Sequence, residues 1–69
     1  MDRKKAEILY IKYNGKNIII DFCTAGADCF NDLWNDNLHI VIVDLEDLQD
    51  SKFDYVDTNL ENDLKEFLK

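Results

Sequence analysis

Apolar and polar positions alternate on both sides of an Asn14-Gly15 dipeptide. Asn-Gly between two β-rich runs is the strongest short-range signal for a two-residue type I′ hairpin. A two-residue loop fixes the register, so Tyr13 should face Lys16, Ile11 should face Ile18 and Leu9 should face Ile20. Side chains alternate across a strand. That register puts Leu9, Ile11, Ile18, Ile20 and Phe22 on one face, and Ile8, Tyr10, Lys12, Asn17, Ile19 and Asp21 on the other. The first set is wholly apolar and the second mixed, so the first is expected to face the core.

Beyond the hairpin, Gly26 in Thr24-Ala-Gly-Ala lets the chain turn. Ala27, Phe30, Leu33 and Trp34 then recur at helical spacing with Asp28, Asn31, Asp32 and Asn35 between them. This predicts a short amphipathic helix, capped by Thr24 or Asp28 and ended by Asn35-Asp36-Asn37. Leu38 to Leu45 reads as a third strand. Its Ile40-Val-Ile-Val43 run is β-branched and apolar on both faces, which suits a central strand. Leu45 to Leu48 suggests one turn of helix, and Phe53 to Val56 a short fourth strand. Thr58-Asn-Leu-Glu61 matches a capping box, and Leu60, Leu64, Phe67 and Leu68 follow as one apolar stripe of a C-terminal helix. The expected order is β-β-α-β-(β)-α, a small two-layer α+β domain over residues 1–69 with its helices on one face of the sheet.

Sixty-nine residues with 46% hydrophobic content fit one small folded domain rather than a disordered acidic tail. No apolar stretch nears the ~20 residues of a membrane span. The basic N-terminus lacks the apolar segment of a secretion signal. A cytoplasmic protein is expected, in its own cell or an infected host cell, with its cysteines reduced.

Charge changes the picture most. The first twenty residues set Arg3, Lys4, Lys5, Lys12 and Lys16 against Asp2 and Glu7, a net +3, and the other forty-nine carry a net −10. Between Asp28 and Asp57 stand nine acids and one cation, Lys52. Net charge bears on partners more than on fold. Direct nucleic-acid binding needs a basic face, and five cations beside such an excess of acid do not make one.

Dedicated chemistry finds little support. Cys23 and Cys29 lack the CxxC spacing of a zinc site, and after Arg3 no Arg remains to capture phosphate, so both read as small buried hydrophobes. A thiol or metal site joining them to His39 is the remaining option of that kind. An EF-hand loop starting at Asp44 would place Gln49 at its sixth position and Tyr55 at its twelfth, where Gly and Glu are needed. No enzyme, cofactor or metal is expected.

A non-enzymatic protein-binding module with an acidic surface is the favoured expectation. Asp28, Asp32 and Asp36 would line one stripe of the first helix, and Glu46, Asp47 and Asp50 would form a second cluster, with Trp34 and Tyr10 as desolvated anchors. A duplex presents about one negative charge per ~1.7 Å. Such a surface would suit the basic groove of a nucleic-acid-binding protein. In size and charge the chain is similar to small acidic phage-encoded inhibitors of host nucleases and defence complexes, a likeness of composition that no motif carries. The alternative is a homo-oligomerising or adaptor domain using the hairpin face of Ile8, Tyr10 and Ile19.

Overall fold

The computed structural model describes residues 4–32, 35–50 and 53–69. Along the chain stand β1 (Ala6–Tyr13), β2 (Lys16–Thr24), β3 (Leu38–Val43), α1 (Leu45–Asp50), β4 (Phe53–Tyr55) and α2 (Thr58–Phe67). The strands form one sheet in the order β3-β1-β2-β4. β1 runs antiparallel to both β2 and β3, whereas β4 lies parallel to β2. The architecture is α+β, with the two helices on one face of a mixed four-stranded sheet.

The hairpin closes as its sequence predicts. Asn14 (φ 51°) and Gly15 (φ 77°) both take the left-handed conformation that a type I′ turn requires. The expected register holds from Tyr13↔Lys16 to Tyr10↔Ile19. There a β-bulge intervenes: Leu9 pairs with Asp21 rather than Ile20, and Ile8 pairs with Phe22. One extra residue in β2 reverses the alternation of everything beyond it. Phe22 therefore leaves the Leu9 face and joins Ile8 and Ile19.

The expected core face is accordingly overturned. The buried cluster joins Ala6, Ile8 and Ile19 to Val43, Leu48, Leu64 and Leu68. Tyr10, Phe22, Leu45, Phe53, Tyr55, Leu60 and Phe67 pack around it. Both helices thus cover the face that the alternation assigned to solvent. Alternation counts apolar positions. It does not know which face the C-terminal helix will reach, and here Ile8, Ile19 and the bulge-shifted Phe22 supply the partners of α2. Phe22 lies against Phe67 with ring centroids 5.6 Å apart.

Two further expectations change. Among the described residues no helix separates β2 from β3; residues 25–32 form turns instead. Asp28 (φ 55°) sits in the left-handed region, which a right-handed helix starting at Ala27 cannot contain, and Gly26 (φ 87°) before it is left-handed too. Leu33 and Trp34 lie outside the described residues. β3, expected at the centre of the sheet, is an edge strand, because β1 accepts it on one side and β2 on the other.

The helix caps are assigned by side-chain geometry. Asp57, not Thr58, caps α2, its Oδ1 accepting from the Leu60 N–H at 2.7 Å. Before α1, the Asp47 N–H donates to Asp44 Oδ1 at 2.8 Å, and the Asp44 N–H donates to Asp47 Oδ2 at 3.0 Å. This is a reciprocal capping box built from two aspartates. Among the described residues no helix is long and apolar enough to cross a membrane.

Candidate functional site

Some of the described acids pair with a described lysine, and others do not. Lys16 pairs with Asp54 at 3.8 Å, Lys65 with Glu61 at 2.8 Å and Lys69 with Glu66 at 3.3 Å. These pairs lie on β2, β4, α2 and the residues just after it. The remaining described cations stand on β1 or just before it, and Lys4 lies 5.7 Å from the centroid of the Phe67 ring. No described cation forms an ion pair with Asp28, Asp32, Asp36, Asp47 or Asp50, all of them exposed. Glu46 is exposed on α1 as well.

These carboxylates fall into two groups on either side of β3 in the chain. Asp28, Asp32 and Asp36 belong to the connection that leads into it. With no helix there, they do not form an i, i+4, i+8 stripe. Asp36 sits in a turn held by Leu38 N–H to Asn35 O (3.0 Å) and Asn37 N–H to Asn35 Oδ1 (2.9 Å). Glu46, Asp47 and Asp50 belong to α1, which leaves β3. Asp47 also serves the capping box, whereas Asp50 stands at the helix C-terminus.

α1 and the start of the connection pack on opposite faces of the sheet. α1 inserts Leu48 into the helix-side core. Cys29 and Phe30, in the described part of the connection, lie on the other side of the sheet. Cys23 pairs with Glu7 and so points to the Leu9 face, and the Cys29 thiol and backbone N–H both lie against the Cys23 sulfur. Phe30 is buried, as is Leu9, and neither belongs to the helix-side cluster.

β3 itself carries no charged side chain, from Leu38 to Val43. Ile40, Val41 and Ile42 are 45%, 38% and 51% exposed. Ile40 and Ile42 pair with Leu9 and Glu7 and share the Leu9 face, while Val41 pairs with Ile8 and points to the helix face. From Ile40 to Ile42 the strand is therefore partly exposed on both faces, while Val43 at its end is buried with Leu48.

Tyr10, expected as an anchor, is packed against the core. Its ring stacks on His39 at 5.3 Å and meets Phe53 edge-on at 5.4 Å. The Ile8–Tyr10–Ile19 face foreseen as an adaptor patch is the one the helices cover. Trp34 lies outside the described residues.

The cysteines are not buried hydrophobes. Cys29 is exposed and Cys23 half-buried. Burial first, then the hydrogen bond to Cys29, pushes the Cys23 thiol up to about 11. His39 stacks on Tyr10 on the helix face, opposite Cys23, so the three do not converge. Among the described residues no cluster of three or more such side chains could hold a metal.

No protein-family model, curated protein or solved structure matches this chain. Its function therefore has to be argued from its own surface. A concavity of about 630 Å³ opens beside the hairpin turn between Tyr13, Phe53, Tyr55 and Thr58. Its carboxylates are engaged: Asp54 with Lys16, Asp57 with the α2 N-terminus and Glu61 with Lys65.

Proposed function

We propose that this chain is a non-enzymatic protein-binding module whose acidic surface receives a partner with a basic one. The observation that supports it is the partition of its acids. Asp54 on β4 and Glu61 and Glu66 on α2 are matched by lysines, while Asp28, Asp32, Asp36 and Asp50 on either side of β3, and Asp63 on α2, are exposed with no described cation paired to them. Exposed carboxylates held beside one strand raise the encounter rate with a cationic partner and select against acidic ones. The short Asp side chain loses less rotamer freedom on docking than a longer one.

A narrower form is competition for the groove in which another protein holds nucleic acid. It needs acids spaced along a track, which Asp28, Asp32 and Asp36 before β3 and Asp50 after it would have to supply, rather than the stripe of one helix.

The test is capture of partners from a cell lysate by immobilised wild type, and by the double variants Asp32→Lys/Asp36→Lys and Asp50→Lys/Asp28→Lys, each washed at about 0.1 M and about 1 M salt. Nucleic-acid-binding or otherwise basic proteins that elute as salt rises, and that both variants lose, are expected. Partners retained by both variants at high salt would overturn the proposal.

A further inference from the structure

β3 has the composition of an interior strand and the position of an edge. Six consecutive residues, Leu38 to Val43, carry no charge on a chain of net charge −7. They are apolar on both faces except at His39. Strands of that kind are covered on both sides and hydrogen-bonded along both edges. An exposed apolar edge is a template for a further strand, and proteins that stay monomeric guard such edges with charge or keep them short. The opposite edge is guarded in both ways: β4 has three residues, and its Asp54 pairs with Lys16. β3 has neither protection.

We propose that two copies of this chain associate through β3, paired antiparallel about a two-fold axis at Val41, to form one eight-stranded sheet. The pattern is self-complementary in that register. With the axis perpendicular to the sheet, each face meets its own kind. Ile40 stands opposite Ile42 of the second copy on the Leu9 face, Ile42 stands opposite its Ile40, and Val41 stands opposite its Val41 on the helix face. The three exposed side chains of the strand are thus matched only with one another, and no charged side chain enters between His39 and Val43. An isologous contact of this kind closes at two copies. It also makes β3 a central strand, which is what its sequence describes.

This inference is independent of the acidic-surface proposal, and salt separates them. Each copy carries −7, so self-association works against like-charge repulsion and strengthens as salt screens it. Binding of a basic partner weakens under the same change. The experiment is sedimentation velocity on the purified chain from low to high micromolar concentration, at about 0.1 M and about 1 M sodium chloride. A species of twice the 8.1 kDa chain mass is expected, with a dimer fraction that rises with concentration and several-fold with salt.

Val41→Lys sets two ammonium groups face to face across the axis and should give a monomer with an unchanged far-UV circular dichroism spectrum. Ile42→Lys, at a still more exposed position, should do the same and serves if Val41→Lys does not fold. Hydrogen exchange should show amides of 39–43 protected in the wild type and faster in either variant. A wild type that is monomeric throughout would overturn the proposal, as would a dimer that survives both lysine variants. A strand that pairs only with some other protein would appear as the first of these results.

Discussion

Ile18 and Ile19 are chemically identical neighbours on opposite faces of β2, and the face that the helices cover decides their burial. Ile19 is fully buried in the helix-side cluster, whereas Ile18 is half-buried on the opposite face. Ala substitution at either shares the same strand, nearly the same change in β-propensity and nearly the same effect on the unfolded chain. The difference between them therefore reads packing. A buried Ile→Ala costs about 2–5 kcal/mol, the lost transfer energy plus the cavity left behind. A half-buried isoleucine at an open face collapses without a cavity and should cost about 1 kcal/mol. For a chain of this length total stability is about 3–10 kcal/mol, so Ile19→Ala should remove a large part of it. The two variants should differ by at least about 1 kcal/mol, or about 4–8 °C in melting temperature. Urea unfolding followed by circular dichroism measures both. If Ile19→Ala does not fold, Ile19→Val against Ile18→Val keeps the comparison, with about 0.5–1.5 kcal/mol expected at the buried site. Ile18→Ala costing as much as Ile19→Ala, or more, would refute the helix-side core and return it to the Leu9 face.

Three further outcomes follow from named contacts. Asp57→Ala should cost about 1 kcal/mol by removing the α2 cap, whereas Thr58→Ala should be close to neutral; equal losses in urea midpoints would show the cap at the wrong residue. At pH 8 an alkylating reagent should label exposed Cys29 well before Cys23, whose thiol is pushed up to about 11 chiefly by burial; mass spectrometry of the digested protein would refute this by finding Cys23 labelled first. Stability should also fall as pH rises from about 9 to about 11. Cys23 and Tyr55 are raised by burial and Lys65 by its hydrogen bond to Glu61, so the folded chain holds protons there that the unfolded chain has released. Urea midpoints that stay flat across that interval would contradict it, and Cys23→Ser should remove part of the slope.

Local signals were legible wherever one short stretch fixes its own conformation. Asn14-Gly15 specifies its turn through two positive φ angles, and the Leu60–Leu64–Phe67–Leu68 stripe specifies the buried side of α2. Elements failed where the decision lay elsewhere in the chain. The bulge at Ile20 left no mark in the alternation, because Leu9, Ile11, Ile18 and Ile20 make a more uniform apolar set than the one the core uses. Helical spacing of Ala27, Phe30, Leu33 and Trp34 was a pattern of four positions. Left-handed Asp28 is incompatible with a helix beginning there, and Gly26 before it is left-handed too. One glycine signalled that; the aspartate, a residue that tolerates positive φ, did so less openly.

Charge counts locate acids along the chain but not in space, and that is where the candidate surface had to be rebuilt. Nine acids between Asp28 and Asp57 look like one feature in sequence. In the fold Asp54 is matched to Lys16, Asp57 and Asp44 cap helices, and Asp47 divides its role between a cap and the surface. Asp28, Asp32, Asp36 and Asp50, which remain exposed, stand on either side of β3 in the chain. The neutral strand between the acids then carries more information than the acids themselves. A surface under selection for solubility alone gains from charge at every exposed position, most of all on an edge strand where an aspartate or lysine blocks aggregation. This chain is rich in acids and places none on the one long edge that needs them. Bare isoleucine and valine there, on a molecule that otherwise repels its own kind, point to an edge that is covered when the protein works.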